Sequence, residues 1–137
     1  MKNICLVILL ILTAAIAGAG DLTIRVGGVD PGRGENIGIS VYTLQSWEKK
    51  TSYRVMDFEL GPGEDCFEFI IENLPSGEYM IMGLQDSNGN FKMDKNFLGM
   101  PKEGFFCTNN IKKPSWKKCA YSYDGEDVSL DLVMIYW

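Results

Sequence analysis

The sequence predicts an all-β fold, an antiparallel β-sandwich of six or seven short strands that follows an N-terminal signal peptide. Apolar and polar residues alternate with a period of two along most of the chain after the signal. Turn-forming Gly, Pro and Ser residues interrupt this alternation roughly every 8 to 12 residues, a spacing typical of β-sandwiches. No segment outside the signal keeps a helical period for three turns. These observations favour two packed sheets over a helical fold.

The first 19 residues have the pattern of an export signal. Lys2 supplies the positive end, residues 4–16 the apolar core, and Ala17-Gly18-Ala19 the small residues of a cleavage site. The apolar run is shorter than the roughly 18 residues that a membrane-spanning helix needs. We therefore expect cleavage after Ala19, a single mature domain of residues 20–137, a secreted or periplasmic location and no membrane insertion after cleavage.

Six segments carry the strand signal. The turn Leu74-Pro75-Ser76-Gly77 leads into the fifth of them, where Tyr79 is placed for a tyrosine corner, in which the hydroxyl bonds back to the backbone. A plain core aromatic is the alternative for Tyr79. The six predicted strands are residues 22–26, 37–41, 53–60, 66–72, 78–85 and 128–136.

Composition excludes several classes of function. The formal net charge of −5 becomes −6 once Lys2 leaves with the signal, which argues against a nucleic-acid partner. The chain has no histidine, so Ser-His-Asp and Cys-His catalysis are excluded in their usual forms. We expect a monomer that is not an enzyme. Acid-base hydrolysis by neighbouring carboxylates, such as Glu64 with Asp65 or Glu126 with Asp127, is the weaker alternative.

Three cysteines remain in the mature chain, which suits an oxidising compartment. Cys107 and Cys119 are nearest in sequence and flank a lysine-rich loop, so we predict a disulfide between them. Cys66 is then expected to be a free, buried thiol. Pairing of Cys66 with Cys119 is the alternative that the sequence leaves open.

Oxygen-bearing side chains recur at alternate positions after the fifth strand, as they do in calcium-binding loops. Phe91 and Phe97 stand where such loops have glycine and a bidentate glutamate, so we expect weak calcium binding, with Kd of about 10⁻⁴ to 10⁻³ M. Glu103 joins the site only if residues 99–104 fold back. A metal-free turn built on Asn88-Gly89 is the alternative. The candidate ligands are Asp86, Asn88, Asn90, Lys92 through its carbonyl, Asp94, Asn96 and Glu103.

Aromatic residues follow this loop. Phe105, Phe106 and Trp116 are candidates to stack on a sugar ring or to anchor a protein partner, independently of calcium. The alternative is that these rings fill the core. The sequence thus predicts an exported binding or structural module of the cell envelope or extracellular space, whose partner is an unidentified protein or glycan.

Four ordered motifs support a family resemblance. They are Leu74-Pro75-x-Gly77-x-Tyr79, Asp86-x-Asn88-x-Asn90 continuing to Asp94-x-Asn96, Gly99-x-Pro101-x-Glu103-Gly104-Phe105, and Asn109-Asn110. In this order they resemble the bacterial exported family catalogued as domain of unknown function 2141, over essentially the whole mature chain. The resemblance implies a single-domain sandwich of the immunoglobulin/transthyretin-like kind, similar also to carboxypeptidase-regulatory-like domains, with no established activity. The chain departs from the family pattern at Phe91, and where Gln85 and Cys107-Thr108 replace the family's histidine and serine.

Overall fold

The computed structural model describes residues 18–86 and 103–137. Within these two segments the chain forms eight strands, two short α-helices and two 3-10 turns. The strands are β1 (Ala19–Gly27), β2 (Asn36–Tyr42), β3 (Arg54–Glu59), β4 (Phe67–Pro75), β5 (Gly77–Asp86), β6 (Phe105–Cys107), β7 (Tyr121–Tyr123) and β8 (Val128–Val133). The helices are α1 (Leu44–Glu48) and α2 (Trp116–Cys119), and the 3-10 turns span Pro31–Arg33 and Thr108–Asn110.

Two sheets face each other across one apolar core, which confirms the predicted all-β sandwich. One sheet has the strand order β4-β1-β8, and the other has the order β3-β2-β5-β6, with β7 paired to β5. Alternation decides which side chains point inward, because successive residues of a strand face opposite sides. The inward residues of β1 and β2 form the centre of the core: Leu22, Ile24, Val26, Ile37, Ile39 and Val41.

One strand pair departs from the predicted antiparallel arrangement. β1 runs parallel to β8, in a register that pairs Leu22 with Val128 and Gly27 with Val133. The alternating pattern specifies the buried face of each strand but not the direction of its neighbour, which is why the sequence did not reveal this pair. The other strand pairs described, including β1 with β4 and β2 with β5, are antiparallel.

The segment after β8 joins the two sheets. The predicted last strand ends at Val133, but Met134 remains buried and Tyr136 still packs against the core. Ile135 exchanges two backbone hydrogen bonds with Phe105 of β6, at 3.1 and 2.7 Å. The chain therefore leaves the β4-β1-β8 sheet and attaches to the edge of the other one.

Tyr79 forms the predicted tyrosine corner. Its hydroxyl donates a hydrogen bond to the carbonyl oxygen of Pro75 at 2.7 Å, and its ring is buried in the core. Burial raises the pKa of Tyr79 above its ordinary value, which already lies well above neutral pH, so the hydroxyl is protonated and donates. The corner fixes the turn between β4 and β5.

The helices are single turns. α1 begins with a capping box, in which the Thr43 side chain accepts from the Ser46 backbone and the Ser46 side chain accepts from Thr43. α1 has five residues and α2 has four, as expected for a chain that lacks a sustained helical period. In the part of the chain described, no helix has the length and hydrophobicity needed to cross a bilayer.

Candidate functional site

The predicted calcium loop begins and ends on two paired strands. Asp86 is the last residue of β5, and Glu103 is the first described residue after the loop. The Gln85 backbone N–H donates to the Gly104 carbonyl at 2.9 Å, and Leu84 pairs with Phe105. In this antiparallel register the position opposite Asp86 is Glu103. The two carboxylates therefore belong to the same face of the sheet, at the base of the loop.

Both carboxylates are buried, with only 2% of Asp86 and 4% of Glu103 exposed. Carboxylates at this depth are uncommon in proteins and usually form ion pairs or bind metals. We expected Glu103 to join the site only if residues 99–104 fold back. Gly104 and Phe105 pair with β5, and residues 99–102 lie outside the described residues.

The other predicted ligands, Asn88, Asn90, Lys92, Asp94 and Asn96, lie outside the described residues. Among residues 18–86 and 103–137, no three acidic or cysteine side chains converge closely enough to form a metal site by themselves. The described part of the predicted site thus consists of two facing carboxylates.

A shallow cavity of about 250 Å³ lies on the outer face of the β3-β2-β5 sheet, beside Asp86. It exists partly because Gly38 has no side chain, and no heavy atom lies within 4 Å of the position that a Cβ would take there. Asp57 and Asp86 are its acidic residues, and Val55, 67% exposed, contributes apolar surface. The lining includes Gly38, Ser40, Tyr42, Val55, Asp57, Met82, Leu84 and Asp86.

The predicted stacking aromatics are mostly interior. Phe105 is 1% exposed and Phe106 is 0% exposed, so neither ring is available to a ligand. Phe106 packs instead against Phe67 and Phe69, with ring centroids 5.9 and 6.0 Å apart. Trp116 is half-buried in a small cluster on the outer face of β5. These positions correct the expectation for the two phenylalanines, because all three residues of β6 are buried.

The two cysteines predicted to pair are neighbours in space. The Sγ atoms of Cys107 and Cys119 are 3.7 Å apart and both residues are fully buried, but this distance is longer than the roughly 2.05 Å of a disulfide, so both are thiols here. Burial, followed by the nearby Cys119, raises the pKa of Cys107 to about 12. Cys66 is a free thiol as expected, but it is exposed rather than buried.

A buried polar network lies directly behind Asp86, and sequence reasoning did not identify it. The Gln85 amide nitrogen donates to the carbonyl oxygens of Asp30 and Gly34, each at 2.8 Å. The Gln85 side-chain oxygen accepts from the Tyr136 hydroxyl at 2.6 Å, and the Tyr136 hydroxyl accepts from the Asp30 backbone N–H at 2.7 Å. The signal that could have revealed this network is a glutamine in an inward position, in line with Ile81 of the same strand.

Gly104 makes room for this network. A Cβ at Gly104 would collide with the Tyr136 ring, which packs directly over the glycine backbone. Burial raises the pKa of Tyr136 further above neutral pH, so its hydroxyl is protonated and donates to Gln85. The Glu103-Gly104-Phe105 motif thus has a structural role that is separate from any ligand.

A comparison with known protein families identifies the family of this chain. The model of the family described as "Uncharacterized protein conserved in bacteria (DUF2141)" matches residues 24–131, which extend from β1 to β8. No curated protein and no solved structure matches the chain significantly.

Proposed function

The chain belongs to the bacterial DUF2141 family, and we propose that it is an exported β-sandwich that acts as a binding or structural module of the envelope or extracellular space, not as an enzyme. Two features support a non-catalytic role. The chain has no histidine to act as a general base, and the buried Cys107 thiol, with its pKa raised to about 12, is a poor nucleophile.

The observation that carries the proposal is the position of Asp86, which lines the outer cavity, opposite Glu103 in the β5–β6 register. Like charges that face each other across a strand pair repel, so two carboxylates at these positions disfavour carrying both charges without a cation. A divalent cation relieves this repulsion, and Ca²⁺ prefers carboxylate and carbonyl oxygens. We therefore propose that Asp86 and Glu103 bind calcium weakly, together with oxygens of the loop between them.

Calcium titration tests this site. We expect heat on titration of the mature chain with CaCl₂, and a Kd of about 10⁻⁴ to 10⁻³ M. At 10 mM CaCl₂ this affinity raises the free energy of unfolding by about 1.4 to 2.7 kcal/mol, which a thermal melt detects. The Glu103→Gln variant keeps the shape of the side chain but removes its charge, and should lose both effects.

Glu72→Gln is the matched control, because Glu72 is an exposed glutamate on β4 of the other sheet. It should bind calcium as the wild type does. Melts at equal ionic strength in NaCl separate ion binding from charge screening. Absence of heat together with an unchanged melting temperature contradicts the calcium site.

The calcium-independent alternative is favoured by a different observation. The outer cavity presents Tyr42 and Val55 to solvent, whereas Phe105 and Phe106 are buried. Tyr42 stacks edge-on against Trp47 at 5.3 Å, which holds its ring in place beside the cavity. If this face carries the function, the chain binds a glycan or a protein even after calcium is chelated. Replacing Tyr42 with alanine should then abolish this binding.

We further propose that Cys107 and Cys119 form a disulfide after export. Their sulfur atoms need to approach by less than 2 Å from the present 3.7 Å. Because burial raises the pKa of Cys107, the folded thiol reacts slowly, so the bond is expected to form during folding rather than afterwards. We expect oxidation to stabilise the chain by about 3 kcal/mol relative to the reduced form.

Peptide mapping of the exported protein without reductant checks this pairing. The expected result is one peptide pair linked through Cys107 and Cys119, with Cys66 modified by alkylating reagents before unfolding because it is exposed. The Cys66→Ser variant is the control and should give the same linked pair. A link that involves Cys66, or three alkylated cysteines, contradicts the prediction.

A further inference from the structure

We propose that the α-amino group created by cleavage after Ala19 docks in an acidic pocket formed by Tyr123, Gly125 and Asp127, and thereby anchors the mature N terminus. This inference rests on the proposed export, because it requires a chain that begins at Gly20. Beyond export itself, it assigns to the folded domain a binding site for the N terminus that cleavage creates.

Oxygen atoms converge on Gly20. Around the position that a Cβ of Gly20 would take lie the Gly125 carbonyl oxygen at 2.5 Å, the Tyr123 hydroxyl at 2.7 Å and Asp127 Oδ1 at 3.0 Å. The Gly20 nitrogen is bonded to the same Cα, so it lies within about 2.5 Å of this position. Three potential acceptors thus surround the residue that would carry the new ammonium group.

The Tyr123 hydroxyl is the second indication of a site. Tyr123 is only 3% exposed, and its hydroxyl makes no hydrogen bond to any residue within 18–86 or 103–137. A buried hydroxyl without a partner is costly, and most such groups in native proteins have one. An ammonium at Gly20 provides the donor that this hydroxyl lacks.

The pocket is negatively charged and its carboxylates are fixed in place. Asp127 Oδ1 accepts from the Asp21 backbone N–H at 2.8 Å, and Asp21 Oδ1 accepts from the Asn73 N–H at 3.1 Å. Asp124 Oδ1 accepts from the Glu126 N–H at 2.9 Å. The two ion pairs found among the described side chains, Arg25 with Glu68 and Arg33 with Asp30, lie elsewhere.

Burial and these three carboxylates, with Asp127 first among them, raise the pKa of Tyr123. The same field favours a positive charge at Gly20, because opposite charges at short range stabilise the charged form.

Cleavage changes the charge of the Gly20 nitrogen. In the uncleaved chain the Gly20 nitrogen is a neutral amide, and Gly18 and Ala19 continue along the surface, where both are exposed. Gly20 itself is buried and pairs with Leu74 of β4, and the strand register shifts between Gly20 and Leu22. A mature chain places an ammonium with three donors at this buried position, and a buried charge is tolerated when it is paired.

Amine titration tests the proposal in a recombinant chain that begins at Gly20. We expect NMR titration to show the pKa of the Gly20 α-amino group raised from its ordinary value of about 8 to about 9 or higher. At pH 7 this chain should melt at least about 3 °C higher than its Nα-acetylated form. Because the folded-state pKa is raised, the advantage is fully present below about pH 8 and disappears as pH rises through the folded-state value.

Asp127→Asn separates the charge from the fold, since the amide retains the oxygen that accepts from Asp21. This variant should return the amine pKa to about 8 and remove most of the difference from the acetylated chain. Asp131→Asn, an exposed aspartate on β8, is the matched control and should change neither. An amine pKa of about 8 in the unsubstituted Gly20 chain overturns the proposal.

N-terminal sequencing of the exported protein tests the cleavage position independently. A start at Gly20 supports the proposal. A start at any other residue overturns it, while export itself still stands. A chain that is not exported at all contradicts the proposed function. The amine titration uses the recombinant chain, so it tests docking of the Gly20 amine independently of export.

Discussion

Replacing Gly83 with alanine is expected to lower the free energy of unfolding by about 3 kcal/mol, a large fraction of the stability of a domain of this size. Gly83 lies on β5 opposite Phe106 of β6, and the Phe106 ring packs over the glycine backbone. A Cβ at this position would overlap the ring atoms. The ring cannot move away without cost, because Phe67 and Phe69 pack against it and it is fully buried. Urea denaturation measures the loss.

Gly38 provides the matched control. It is also a strand glycine, on the neighbouring β2, but a Cβ there meets no atom within 4 Å. Gly38→Ala should therefore leave stability unchanged or raise it by about 0.5 kcal/mol, because alanine restricts the unfolded chain. A Phe106→Leu substitution in the Gly83→Ala background should cost less than the two changes summed, since a smaller side chain makes room for the methyl group. Equal losses for Gly83→Ala and Gly38→Ala would contradict this account.

The sequence predicted the long strands well because each buries one face. Leu22 to Val26 and Ile37 to Val41 alternate cleanly, and both lie in strands that face the core. β6 and β7 have three residues each, too few for a period of two to be recognised. The parallel pairing of β1 with β8 also escaped prediction, because alternation carries no information on strand direction.

The candidate site was only partly predictable for a similar reason. Asp86 and Glu103 were named separately as oxygen donors, but their placement on facing positions depends on the register that the Gln85–Gly104 hydrogen bond sets. The acceptors around Gly20 come from residues more than 100 positions away, and no local pattern indicates such a contact. Tyr79 is the contrasting case, because its corner bond reaches back only to Pro75 and the local motif is sufficient.

Replacing Gln85 with leucine should cost about 2 to 4 kcal/mol, although the two side chains have similar volumes. Leucine cannot donate to the Asp30 and Gly34 carbonyls or accept from the Tyr136 hydroxyl, so three polar groups lose a partner. Gln85 is fully buried, so water does not readily replace these bonds. The loss of stability comes from unsatisfied hydrogen-bonding groups rather than from a cavity. Chemical denaturation measures this loss.

Two further variants distinguish the network from a general intolerance of leucine. Gln45→Leu places the same substitution on the exposed surface of α1 and should change stability by less than about 0.5 kcal/mol. Tyr136→Phe removes one hydroxyl and leaves the bonds of Gln85 to both carbonyls, so its cost should be about half that of Gln85→Leu. The double variant should then cost less than the sum, because each change removes the same Gln85–Tyr136 bond. Strict additivity of the two costs would show that the residues act independently.

The variants Gln85→Leu and Gln45→Leu also test whether the buried network holds the base of the loop in position, because Gln85 immediately precedes Asp86. Gln85→Leu should weaken calcium binding, whereas Gln45→Leu should not.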